Sequence, residues 1–144
     1  MEVYTIGFTK KTAADFFGIL KATGIQRLVD VRLNNTSQLA GFAKRDDLAF
    51  FLKELCNIEY QHTPFLAPTQ EILDGWKKGK NWEEYERKFM ELLVNRKIAD
   101  QFEKDFFRTP TVFMCSEPTA EHCHRRLVLE HLQKKITDLK IIHI

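Results

Sequence analysis

The sequence has little of what marks a membrane, secreted or multi-domain protein. No apolar run approaches the roughly 20 residues that cross a bilayer, which argues against a transmembrane helix. The opening residues Met1, Glu2, Val3, Tyr4, Thr5 and Ile6 lack a basic or long apolar leader, so no signal peptide is expected. Three cysteines are an odd number and too few for a disulfide framework, pointing to a reducing, cytoplasmic setting. Charge of one sign is also missing. With 22 Lys and Arg against 20 Asp and Glu, the net charge is +2, which excludes a polyanion-coating protein or an acidic tail but leaves room for a local basic patch. No internal repeat, low-complexity tract or Pro/Gly-rich linker interrupts the 144 residues, so they are expected to form a single domain, 1–144.

What is present is an alternation of strand-like and helix-like segments. Residues 3–6 read as a buried strand ended by Gly7, and Thr12 with Asp15 resembles a capping box before a helix closed by Gly24. Residues 27–31 form a second strand, Asp46 and Asp47 open a second helix, and residues 58–62 make a third strand. Residues 69–108 are helical in pattern: one helix through Leu73 and Trp76, one capped by Asn81, and one through Ile98, Phe102 and Phe106. Residues 111–115 are a fourth strand, Pro118 and Thr119 start a last helix, and residues 139–144 end the chain as a strand. The expected fold is three-layer α/β: about five mostly parallel strands, helices on both faces, and a helical insert before the fourth strand.

Ligands of such sheets bind beyond the carboxyl ends of the strands, and chemistry-bearing residues gather there in this sequence. Gly7, Phe8, Thr9 and Lys10 follow the first strand, and Asp30, Val31 and Arg32 end the second. Tyr60 and His62 close the third; Cys115, Ser116 and Glu117 close the fourth and lead to Cys123, His124, Arg125 and Arg126.

The same residues resemble the domain-of-unknown-function 488 family. Its Thr-Ile-Gly strand end is matched by Thr5, Ile6 and Gly7, its Asp-Val-Arg by Asp30, Val31 and Arg32, and its Tyr-x-His by Tyr60 and His62. Its Cys-x-Glu and Cys-His-Arg are matched by Cys115 with Glu117 and by Cys123, His124 and Arg125. The motifs run in order through nearly the whole chain. Phe8 stands where many members have His, leaving any role of that His vacant, and the usual Pro near the Asp-Val-Arg is missing. The resemblance implies an α/β fold and no established reaction.

Each motif has a chemical and a structural reading. Arg32 carries a planar fork suited to phosphate, or it is an ion-pair partner of Asp30 or Glu117. Gly7 and Thr9 sit where backbone N–H groups meet a helix start and cradle anions, or Gly7 merely permits a tight turn. The segment is neither a Walker A loop nor G-x-G-x-x-G, so no dinucleotide is supported and no cofactor is expected. Cys115, at a strand end near arginines, fits a nucleophilic thiol, but Glu121 stands where a cysteine phosphatase has Arg. Cys115, Cys123, His124, His62 and His122 are the material for zinc. Against it, no C-x2-C or H-E-x-x-H is present, and neighbours Cys123 and His124 on one helix diverge by about 100°. No metal is therefore expected, and Cys123 reads as a core residue. His62 fits an acid or base oriented by Glu117 or Asp30, or simply a hydrogen-bonded strand end. Residues 33–45 form a long polar loop in which Phe42, beside Lys44 and Arg45, offers a base-stacking ring or plugs the core.

The leading expectation is a small protein that binds or acts on a phosphate-bearing ligand, a nucleotide or nucleic acid, at the carboxyl edge of the sheet. Arg32, Arg125, Gly7 and Thr9 hold the anion in this reading, with Phe42, Cys123 and His124 alongside. Glu117, His62 and Asp30 supply acid/base chemistry and Cys115 a nucleophile. The rivals are a non-catalytic nucleic-acid-binding module using Phe42 and Arg126, and a metal-stabilised interaction domain. No membrane partner is expected.

Overall fold

Alternation along each strand sorts side chains onto two faces, and in a computed structural model describing residues 1–36 and 41–144 both faces are covered. Strands β1 (Glu2–Gly7), β2 (Arg27–Asp30), β3 (Glu59–His62), β4 (Thr111–Cys115) and β5 (Lys140–His143) form one parallel sheet in the order β3-β2-β4-β1-β5. Helices α1 (Ala13–Thr23) and α2 (Arg45–Cys56) cover one face, where Ile6, Leu28, Val112 and Met114 meet Phe16, Leu20, Leu48 and Leu52. The other face carries Val3, Val29, Phe113 and Cys115. It packs against α3 (Gln70–Gly79), α4 (Trp82–Asn95) and α5 (His124–Gln133). The expected three-layer fold is what the chain adopts. β4 is buried along its whole length, as the central strand of a doubly covered parallel sheet must be.

Local signals set several boundaries. The Thr12 hydroxyl accepts from Asp15 N–H at the start of α1, and Asn81 does the same for Glu84 N–H at the start of α4. Gly24 ends α1 at a φ of 75°, in the left-handed region. Two expectations are corrected. The third helix of the insert is a pair of 3₁₀ turns, Ile98–Gln101 and Lys104–Arg108, because Phe102 and Glu103 are extended, at φ −123° and −102°, and break the run. The last helix begins at His124 rather than near Pro118, because residues 118–123 form an irregular loop and Cys123 is still extended at φ −137°.

Topology singles out the end of β4. Its chain leaves toward α5 on one face, while the neighbouring strands β1 and β2 leave toward α1 and α2 on the other. Diverging connections open a crevice at such a switch point. Cys115 stands there, in register with Gly7.

Candidate functional site at the carboxyl rim

Asp30 organises one half of the rim. Its carboxylate accepts from Arg32 through Nε at 2.9 Å and Nη2 at 2.8 Å, and from the Arg32 backbone N–H at 3.1 Å. The Tyr60 hydroxyl donates to it at 2.6 Å and the Asn35 amide at 3.5 Å. Burial and then Asp30 push the Tyr60 hydroxyl far up, so it remains a donor. Of the two readings of Arg32, the ion pair with Asp30 is the one seen, and it is almost wholly buried. The Arg32 guanidinium lies 5.1 Å from the centre of the Phe8 ring, the residue that stands in place of the family histidine. Among the described residues, Arg32 Nη1 has no partner. Asn35 was not singled out in the sequence; nothing in the pattern of a polar loop distinguishes it.

Two histidines tie other elements to the end of β2. His62 Nε2 donates to the Arg32 carbonyl at 2.9 Å, and His124 Nε2 donates to the Val31 carbonyl at 2.6 Å. An imidazole nitrogen facing a carbonyl carries the proton, so Nε2 is the donor in both rings, and in the neutral ring Nδ1 keeps its lone pair. Burial pushes His124 down to about 4, keeping its ring neutral at physiological pH.

The other half centres on Arg125, about 1% exposed. Its Nη1 donates to Cys115 Sγ at 3.1 Å and to the Glu117 carbonyl at 2.8 Å, and its buried Nε has no partner among the described residues. Among the described residues no carboxylate pairs with it. Burial pulls the guanidinium down to about 10 against the opposing pull of Glu117, so it stays charged at neutral pH. Lys11 is lowered by its own partial burial and by the Arg125 charge, so two cations share this corner. Gly7 is required here, because a Cβ would overlap the Glu117 carbonyl. Thr9 N–H donates to the Ser116 carbonyl at 3.1 Å, so the expected anion cradle at Gly7 and Thr9 is closed over by residues 116–117.

Cys115 and Cys123, whose proximity the sequence pattern leaves open, are joined as a disulfide; in this form Cys115 has no free thiol. Cys56 is the free cysteine. His124 lies with the pair, and one potential ligand atom from each of the three falls within 4.8 Å of the others. The supposed divergence of Cys123 and His124 disappears because Cys123 precedes the helix. Phe42 packs against Phe8, Phe16 and Phe17 with ring centres 5.3–6.4 Å apart, so its ring plugs the core. Ser37 and Gln38 of the polar loop lie outside the described residues. Arg126 is held by Glu130 and by the Ala120 and Glu121 carbonyls. A cleft of about 810 Å³ lies at the opposite end of the sheet, lined by Gln26, Lys53, Cys56 and Glu59.

Sheet order and rim together define a parallel three-layer α/β protein with its polar residues gathered at the switch point. The chain belongs to the family described as Domain of unknown function DUF488, whose match spans residues 12–132. No curated protein and no solved structure matches it. Among the described residues, no helix is long and apolar enough to cross a membrane.

Proposed function

We propose that the protein binds a phosphate-bearing ligand, a nucleotide or a nucleic-acid end, at the carboxyl rim beside Arg125. One observation carries the reading: a guanidinium taken out of water with no carboxylate and no Nε partner among the described residues, and a second cation, Lys11, close by. A buried charge is costly unless paired, and an anionic ligand is the partner that would offset the cost. Arg32 contributes less than the sequence suggested, because Asp30 already neutralises it, although its buried Nη1 has no partner among the described residues. If the bound molecule is turned over, exposed Glu117 and the Nδ1 of His62 are the groups for proton transfer.

The test is a thermal-shift panel of inorganic phosphate, nucleotides and short oligonucleotides against wild type, Lys11→Ala and Arg125→Lys. A ligand at 100 times its dissociation constant adds about 2.7 kcal/mol. The expected result is a shift from one phosphate-bearing class, reduced in Lys11→Ala, which perturbs no core contact, and abolished in Arg125→Lys. No shift from any member of the panel, or one that both variants retain, overturns the reading.

A further inference from the structure

We infer that the reduced protein holds one thiophilic divalent cation, zinc before others, between Cys115, Cys123 and His124. The inference does not rest on the anion reading above.

Four observations converge. The three side chains are buried together, and one ligand atom from each lies within 4.8 Å of the others, close enough to share one ion. The Cα atoms of Cys115 and Cys123 stand 7.6 Å apart, wider than the roughly 4.4–6.8 Å usual for bridged cysteines, so the backbone leaves room for an ion between two thiolates. His124 donates Nε2–H to the Val31 carbonyl and so keeps its Nδ1 lone pair; a ring fixed through its other nitrogen is the usual second layer of a histidine–metal bond. Finally, Arg125 Nη1 donates to Cys115 Sγ, a contact that favours the thiolate.

Charge argues the same way. Two thiolates, a neutral imidazole and a divalent cation sum to zero, which a buried site tolerates far better than two bare thiolates. Cys123 is extended at φ −137° and His124 is the first helical residue, so the two neighbours do not share a helix, and their ligand atoms fall within 4.8 Å of each other. Three protein ligands leave the fourth tetrahedral position for water or substrate, as in catalytic rather than structural zinc sites.

The disulfide and the metal-bound form exclude each other. A small dithiol reductant passes two electrons and two protons to the Cys115–Cys123 bond, giving two thiols and becoming a disulfide itself. The cation then displaces both thiol protons to solvent as two metal–sulfur bonds form.

Reduced protein, freed of reductant, is titrated with cobalt(II) and then zinc(II). The expected outcome is one equivalent of cobalt, with a thiolate-to-cobalt absorption band that zinc abolishes. Cys123→Ser and His124→Ala weaken uptake at least tenfold, while Cys56→Ser leaves it unchanged. Should the first two variants fail to fold, wild type answers alone: bound zinc slows alkylation of Cys115 and Cys123 and leaves Cys56 as reactive as before. Reduced wild type that takes up no cobalt or zinc overturns the inference. So does uptake that a folded Cys123→Ser variant retains, or zinc that protects none of the thiols.

Discussion

The Tyr60 hydroxyl, on β3, donates to Asp30 Oδ2 on the neighbouring β2 at 2.6 Å, and that carboxylate also carries the buried fork of Arg32. Asp30 therefore neutralises Arg32 and fastens three segments of the rim. Asp30→Asn keeps the shape and removes the charge, stranding the Arg32 guanidinium. The expected loss is about 3–5 kcal/mol, read from urea denaturation. Tyr60→Phe removes one bond to a charged acceptor and should cost about 1.5–3 kcal/mol. Near-wild-type stability in Asp30→Asn would mean that Arg32 finds water or another anion.

Gly7→Ala places a methyl group against the Glu117 carbonyl, which is backbone and yields only by moving residues 116–117. Overpacking of this kind costs about 1–3 kcal/mol. The same movement lengthens the 2.8 Å bond from Arg125, so under the proposed anion reading phosphate affinity should fall with stability. An alanine variant as stable as wild type contradicts this close approach.

Phe42→Ala separates packing from recognition. The ring is half-buried among Phe8, Phe16 and Phe17, so its loss should cost about 2 kcal/mol, below the roughly 3–5 of a fully buried Phe. Oligonucleotide affinity measured well below the melting temperature should not change. A fall in affinity with stability intact would restore Phe42 as a stacking platform.

His143 gives stability a slope with pH. Its ring accepts from or donates to the Thr5 hydroxyl at 2.6 Å, and partial burial, followed by Arg125 and Arg126, holds its pKa below the ordinary 6.5. The unfolded chain therefore takes up a proton that the native state resists. The contribution is complete above pH 6.5 and is lost as pH falls from there toward the depressed native value. His143→Asn, which keeps a polar partner for Thr5, should lose less melting temperature than wild type between pH 7.5 and 5.5. Parallel curves for the two proteins would refute it.

The layers were legible because their causes are local. Caps at Thr12 and Asn81, the left-handed glycine at position 24 and the apolar run of β4 each announce themselves within a few residues. The start of α5 did not, because its N-cap, Cys123, makes no side-chain bond, while Pro118 and Thr119 imitate a helix start. That misplacement also hid the juxtaposition of Cys123 and His124. The gathering of polar residues at strand ends followed from topology. Which partner each would choose did not: Arg32 reaches back two residues to Asp30, and residues 116–117 close over Gly7, both decided by packing between distant segments.

The pairing of the first and last strands has a practical side. β1 and β5 run parallel, with Lys140 N–H bonded to the Met1 carbonyl at one end and Ile144 N–H to the Thr5 carbonyl toward the other. Residues attached before Met1 leave from the end of the sheet away from Cys115 and Arg125, whereas residues attached after Ile144 emerge on the rim side. An affinity handle or fluorophore on the amino side can thus serve in testing the proposed binding and metal uptake without crowding the rim, and the same group on the carboxyl side acts as a steric probe of it.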